Sequence, residues 1–205
     1  MRTKFITTTI ALAFIPLLSK AQEFRFGGGY SASQVTKSGT ENFVGKAGYQ
    51  FGVDLLLGNA WFVKPGLHFQ VRNLNYSYAT VDANNNPTTT PVEFRYTDRS
   101  LRVPLHLGRR FLDPLDEPPV NFYVFAGPTA LFQLDADLNN DALTVQTNGT
   151  QWYIGGGAGL ELGFLFLEGG YDVAMTNVFR GQGFDTNPKL NLAYASLGVR
   201  LKLAR

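Results

Sequence analysis

Charged side chains recur at alternate positions of several segments, and they are the residues of this chain best suited to chemistry. Buried against one another, acidic and basic groups could form neutral ion pairs that fill a core. The same groups could also line a narrow path for protons or ions. Both interpretations stay open at the level of sequence, because the heights of these residues in the fold depend on strand register. The set comprises Asp54, Lys64, Arg102, Glu161, Glu168, Asp172 and Arg200.

The two histidines, His68 and His106, are the next candidates for chemistry. A serine hydrolase needs one histidine beside a serine and an oriented carboxylate. Neither histidine has a serine close to it in the sequence. We therefore predict no catalytic site and no enzymatic activity.

A polar segment near residues 135–150 begins like a calcium-binding loop, whose oxygen ligands fall at positions 1, 3, 5 and 7. The glycine that such a loop needs at its sixth position is Asn140, and the glutamate needed at the twelfth is Gln146. We therefore predict a solvated loop and no metal site. The alternating oxygen-bearing residues are Asp135, Asp137, Asn139 and Asp141.

The glycine run 155–159 does not form a dinucleotide fingerprint. No helical pattern follows it, and Leu162 stands where the third glycine would be needed. The sequence therefore predicts no cofactor.

Composition narrows the class of protein further. A chain of 205 residues suits a single domain. The absence of cysteine excludes disulfide scaffolds, thiolate metal sites and cysteine nucleophiles. A formal charge of +2 is too small to indicate a nucleic-acid partner.

The first 21 residues have the features of a secretory signal. A basic start, Met1-Arg2-Thr3-Lys4, precedes a largely apolar run, and Ser19-Lys20-Ala21 places small residues where a signal peptidase reads. The run is short for a membrane-spanning helix. We predict cleavage before Gln22, which leaves residues 22–205 as one barrel domain.

From Gln22 onward the dominant hydrophobic period is two, which indicates strands. Eight segments alternate in this way, and no stretch of comparable length keeps a helical period. Long polar connections, near 36–46, 79–92, 135–150 and 177–190, lie between them. The other connections are short turns near 58–60 and 163–165, and a proline-rich turn at 112–120. The pattern predicts an all-β, eight-stranded antiparallel up-and-down transmembrane β-barrel with both termini at the short-turn end.

Alternation alone does not say which face points inward. A soluble lipocalin-like barrel would enclose an apolar ligand cavity with the same period. Glycines recur on the charged face, as at Gly155, Gly157 and Gly159, and suit a crowded lumen. Aromatic residues such as Trp61 and Trp152 fall near strand ends, as in interfacial girdles. These features favour the transmembrane arrangement, with the soluble periplasmic barrel as the alternative.

Three strand motifs, SLRVPLHL at residues 100–107, YVFAGP at 123–128 and YIGGGAGLE at 153–161, resemble those of the PorT-like family of small outer-membrane β-barrels of Gram-negative bacteria. Residues 100–107, SLRVPLHL, are similar to that family's "YLxIPLLL" strand, and residues 123–128, YVFAGP, to its "YxxAGP" strand. Residues 153–161, YIGGGAGLE, resemble its glycine-rich sixth strand. One departure concerns the end of the chain, Leu201-Lys202-Leu203-Ala204-Arg205, where such barrels usually carry an aromatic residue for the assembly machinery.

The resemblance implies an outer-membrane protein in contact with lipid, lipopolysaccharide and the barrel-assembly machinery. We expect a non-enzymatic role, structural or interactive, with a periplasmic or extracellular protein partner. The surface loops or the turn 112–120 would make that contact. The alternative function is transport, through a narrow channel or as a conduit for hydrophobic ligands.

Overall fold

The computed structural model describes residues 23–35, 42–78, 92–112, 118–138, 149–177 and 189–203. The predicted signal segment 1–21 and residues 113–117 of the proline-rich turn lie outside them. The described residues form eight strands. These are β1 (Glu23–Val35), β2 (Asn42–Gly58), β3 (Trp61–Tyr78), β4 (Val92–Arg110), β5 (Val120–Leu138), β6 (Thr150–Leu162), β7 (Leu165–Ala174) and β8 (Leu190–Lys202).

Each strand pairs antiparallel with its neighbour in sequence, and β1 pairs with β8 to close the barrel. The predicted eight-stranded antiparallel architecture is therefore confirmed. Glu23 of β1 pairs with Lys202 of β8 at the end that carries the short turns. We call this the short-turn end, and the opposite one the long-loop end.

The register fixes the tilt of the strands. Following paired residues around the barrel from Gly58 of β2 returns to the same strand at Gly48, ten residues along. For eight strands this stagger corresponds to a tilt of about 40°. The inward residues passed on the way are Phe62, Gly108, Phe125, Gly157, Gly170, Tyr194 and Ser31.

Large inward side chains lie beside small inward residues on the neighbouring strands, so the lumen is packed. Tyr123 lies opposite Gly159, and Tyr194 lies opposite Gly170. A Cβ added at Gly170 would stand 2.5 Å from the Tyr194 ring. Glycine is therefore required here to let a neighbouring aromatic side chain lie flat across the strand.

The outer surface is apolar, and the lumen is polar. Phe122, Ile154 and Leu197 face outward and are each more than half exposed. The lipocalin-like alternative needs the apolar face inside, and the structure has the reverse. The outward face of β6 from Trp152 to Leu162 covers ten residue steps, or about 25 Å along the axis, which matches the apolar band of membrane barrels.

Among the residues that the structure describes, β2–β5 continue further towards the long-loop end than the other strands. The β4–β5 ladder continues to Tyr96–Leu138, whereas the β5–β6 ladder stops at Phe132–Thr150. On the other side, the β1–β2 ladder ends at the pair Ala32–Ala47, although β2 itself begins at Asn42.

Within the ranges that the structure describes, no helix is both long and apolar enough to cross a bilayer.

Candidate functional site

The lumen gathers all seven charged residues predicted to share one face. Asp54, Lys64, Arg102, Glu161, Glu168, Asp172 and Arg200 are buried there, each less than a tenth exposed. Five further charges that the prediction did not include join them. They are Glu23, Arg25, Arg72, Asp98 and Arg110.

Most of these additional residues lie near strand ends, where the apolar alternation that defines a strand fades. Glu23 begins β1 and Arg110 ends β4. Counting along the strand could have found Arg110. It lies two residues from Gly108 and eight from Arg102, both even numbers, so its side chain lies on the same inward face as theirs. Among the described residues, the buried set contains six basic and six acidic side chains, so the lumen is balanced when its histidines are neutral.

Five residues form what we call the short-turn cluster: Glu23, Arg25, Arg110, Glu161 and Arg200. Three arginines share two glutamates, and each arginine bonds both of them. Arg110 donates from Nη2 to Glu23 at 2.8 Å and from Nε to Glu161 at 2.9 Å. Arg200 donates to the same two carboxylates at 2.7 Å each. Arg25 donates from Nε to Glu23 at 2.6 Å, and its Nη2 bonds Glu161.

The cluster spans the barrel, because its members come from β1, β4, β6 and β8. Aromatic rings pack against its cations. The Arg25 guanidinium lies 4.7 Å from the Tyr123 ring centre and 5.3 Å from that of Phe166. Arg110 lies 5.1 Å from the Phe62 ring centre. Charge neutralisation and ring contacts together offset the cost of removing these groups from water.

Arg110 also ties the cluster to the short turn between β2 and β3. Its Nη1 donates to the Asn59 carbonyl at 3.0 Å, and its backbone amide donates to the Ala60 carbonyl at 2.8 Å. Two hydrogen bonds between Leu112 and Asn121 connect the two sides of the neighbouring proline-rich turn. Asn121 accepts from the Leu112 amide at 3.1 Å and donates to the Leu112 carbonyl at 3.0 Å.

A second level of the lumen is built on Lys64 and Glu168, 2.6 Å apart. The Tyr123 hydroxyl donates to the same carboxylate oxygen at 3.0 Å. The Lys64 ammonium lies 3.8 Å from the centre of the Phe125 ring. The ammonium group therefore contacts one carboxylate and one ring, and the carboxylate also accepts from a phenol.

The histidines occupy the lumen but have different partners. His68 Nε2 lies 2.9 Å from Asp54 Oδ1. His106 stacks on Phe125 at 5.0 Å between ring centres, and its Nε2 lies 3.4 Å from the Thr129 hydroxyl. The acid and the hydroxyl thus contact different rings. A hydrolytic triad needs both partners on one histidine.

Nearer the long-loop end lie two arginine–aspartate pairs, one across the lumen and one between the neighbouring strands β3 and β4. Arg102 Nη2 donates to Asp172 at 2.7 Å, from β4 to β7. Arg72 donates to Asp98 from Nε at 2.8 Å, and its Nη1 donates to the Tyr153 hydroxyl at 2.8 Å. Ion pairs therefore cross or line the lumen at every level from the short turns to the long loops.

The calcium-like segment is only partly described, since residues 139–148 lie outside the described ranges. Its first two acids, Asp135 and Asp137, are exposed on β5. Asp135 accepts from Arg99 Nη1 at 2.7 Å. Asp135, the first ligand position of the calcium-like pattern, is therefore paired with Arg99.

Comparison with known proteins gives a family match and a shared fold. Residues 19–180 match the family model described as "outer membrane protein beta-barrel domain". OprG of Pseudomonas aeruginosa superposes with a TM-score of 0.55 at 12% identity, covering 90% of this chain and 98% of that one. Ail of Yersinia pestis, solved with a heparin analogue, gives 0.51 at 14% identity, with 87% and 98% covered. The comparison with curated proteins found no match.

Proposed function

This chain belongs to the outer membrane protein beta-barrel domain family, and from that premise we propose that it is a closed, non-enzymatic barrel with a structural or interaction role. The observation that carries the proposal is the short-turn cluster, in which three arginines each bond the same two glutamates. An ion would have to pass between cations and anions that already satisfy one another. The Lys64–Glu168 ion pair closes the lumen at a second level.

Single-channel recording in planar bilayers tests this closure. We expect the purified, folded barrel to give no reproducible current step above that of protein-free bilayers. A stepwise conductance that recurs between preparations would contradict the proposal. It would favour the alternative, a narrow channel or a conduit for hydrophobic ligands.

Folding of each preparation is verified independently of its current. A folded membrane barrel resists SDS until it is boiled and then migrates differently. Silent recordings count only for samples that show this shift, so that unfolded protein is not taken for a closed barrel.

We propose that the barrel acts through contacts of its outer surface and its loops with lipid and with other proteins. Lipid and lipopolysaccharide are its proposed immediate partners. Arg109 lies 5.4 Å from the Trp61 ring centre at the short-turn end, where a cation beside an indole suits a lipid phosphate. Protein partners would meet the extracellular loops or the periplasmic turn 112–120.

Export and assembly complete the proposal. We propose cleavage of residues 1–21, and N-terminal sequencing of the protein from outer membranes should then begin at Gln22. A start at Met1 would contradict cleavage. Insertion by the barrel-assembly machinery and membership of the PorT-like group are proposed on the strand motifs that resemble that group.

A further inference from the structure

Two glutamines lie side by side on the inner wall of the barrel but do not bond each other. Gln50 of β2 and Gln70 of β3 are paired in register, and both are buried in the lumen. Directly opposed residues have Cβ atoms about 5 Å apart, within reach of an amide–amide hydrogen bond. Gln50 instead turns towards β8, where its Nε2 donates to the Ser196 hydroxyl at 2.9 Å. Gly29 of β1 is the residue between them in register, so no side chain obstructs this bond.

This arrangement leaves three buried amide atoms without a hydrogen-bond partner among the residues that the structure describes. They are Oε1 of Gln50 and both Nε2 and Oε1 of Gln70. Gln70 is fully buried, and its other neighbour in register, Ser100, directs its hydroxyl to Asp98 at 2.8 Å. Buried amide groups are nearly always hydrogen-bonded, because leaving one unpaired is costly. The three atoms therefore indicate a ligand between the two glutamines.

Space for a small ligand lies next to these amides. His68 is the inward residue of β3 that precedes Gln70, and β3 is paired on both sides at this position. Its Nε2 lies 2.9 Å from Asp54, yet 11% of the surface of its side chain stays accessible. An inward side chain of a closed barrel keeps accessible surface only where the lumen has room for a molecule of the size of water. The lumen therefore has such room beside Gln70.

Charge and hydrogen-bonding capacity select a neutral ligand. The six acidic and six basic side chains buried in the described part of the lumen cancel when the histidines are neutral, so an added ion would carry a buried charge without a counterpart. The unpaired atoms are one amide donor and two carbonyl acceptors. A cation would leave the donor unsatisfied, and an anion would leave both acceptors unsatisfied. Water serves both kinds of group.

We infer that Gln50 and Gln70 bind an internal water molecule that bridges their amides inside the lumen. The water accepts from Gln70 Nε2 and donates to Gln50 Oε1, which joins β2 and β3 through their side chains. Along β3, Gln70 lies farther from the short turns than Lys64 does. The water is therefore on the long-loop side of both levels of ion pairs that close the lumen. The site goes beyond the proposed closure, and a dry site would leave that closure standing.

A high-resolution crystal structure of the folded barrel, grown with rubidium bromide as the only salt, tests the site directly. We expect a density peak at about 2.7–3.2 Å from Gln70 Nε2 and Gln50 Oε1, without anomalous signal from rubidium or bromide. The peak should disappear in Gln70→Met. A map that shows ordered water elsewhere but none between the two amides would overturn the inference. An anomalous signal at the peak would identify an ion and would also overturn it.

The sign of a stability change gives an independent test. Gln70→Met keeps the length of the side chain but removes both amide atoms. With water bound, the change takes away hydrogen bonds of the water, so the unfolding equilibrium constant in lipid vesicles should rise by about five-fold or more. With a dry site, the same change removes two unpaired polar atoms and should lower that constant.

Leu131→Met is the matched control for packing, because Leu131 is a buried inward residue of β5 and already apolar. It measures the cost of fitting methionine into the lumen without any loss of hydrogen bonds. An unfolding constant of Gln70→Met at or below that of the wild type would contradict bound water. An increase no larger than that of Leu131→Met would contradict it as well.

Discussion

The short-turn cluster predicts an asymmetry between its acids and its bases. Removing the charge of Glu161 leaves three arginines around one carboxylate. Removing Arg110 leaves Arg25 and Arg200, each still bonded to both glutamates in an alternating set of four charges. We therefore expect E161Q to be much more harmful than R110M.

The expected magnitudes follow from what each change leaves behind. Glu161 is 1% exposed and bonds three guanidinium groups, so E161Q creates uncompensated buried charge, which costs about 3–5 kcal/mol. R110M loses these hydrogen bonds and the one to the Asn59 carbonyl, but Arg25 and Arg200 still bond both glutamates, and methionine keeps an apolar stem against Phe62. We expect about 1–2 kcal/mol for that change.

The double variant gives the sharpest test. E161Q with R110M contains two arginines and Glu23, so its cluster carries the same net charge as the wild type. It should be more stable than E161Q alone, although it carries one more substitution. R99M serves as a control of matched chemistry, because Arg99 is 45% exposed at its side chain and pairs at the surface, where such pairs are worth about 1 kcal/mol or less.

Equilibrium unfolding by guanidinium in lipid vesicles measures all four variants. Tryptophan fluorescence from Trp61 and Trp152 reports the transition, and the SDS gel shift gives an independent midpoint. If R110M costs as much as E161Q, or if the double variant is the least stable, the assignment of Arg110 as the surplus cation is refuted.

Two further predictions concern the walls of the barrel. Gly170→Ala should destabilise by about 1–3 kcal/mol in the same unfolding assay, because its Cβ would press on the buried Tyr194 ring, whereas Gly169→Ala meets nothing nearer than 3.7 Å and should be neutral. Equal effects at the two neighbouring glycines would contradict the assigned faces. Leu197→Arg should cost about 2–4 kcal/mol in vesicles because it places a charge in the apolar band, while Leu203→Arg near the interface should cost about 1 kcal/mol or less. A tolerated Leu197→Arg would argue that this surface does not face lipid.

Local sequence pattern was sufficient for the strands and their faces. Alternation has a period of two, which the pleat converts directly into two sides, so counting residues places Lys64, Arg102 and Glu168 on one face. The glycines of that face and the aromatic residues near strand ends indicated that it points inward. The same counting of residues places His68 and His106 on that face. The function of the lumen charges did not follow, because parity says nothing about which charges meet.

Pairing within the lumen was decided by the tertiary structure. Arg25 and Glu161 are 136 residues apart and meet because a stagger of ten residues brings β1 and β6 to the same height across the barrel. The pairing register likewise sets Gly170 opposite Tyr194. Stagger depends on how the whole sheet closes, and closure is a property of all eight strands together. The sequence by itself indicated an eight-stranded barrel with a polar interior, whereas the closure of the sheet decided which of the interior charges form ion pairs.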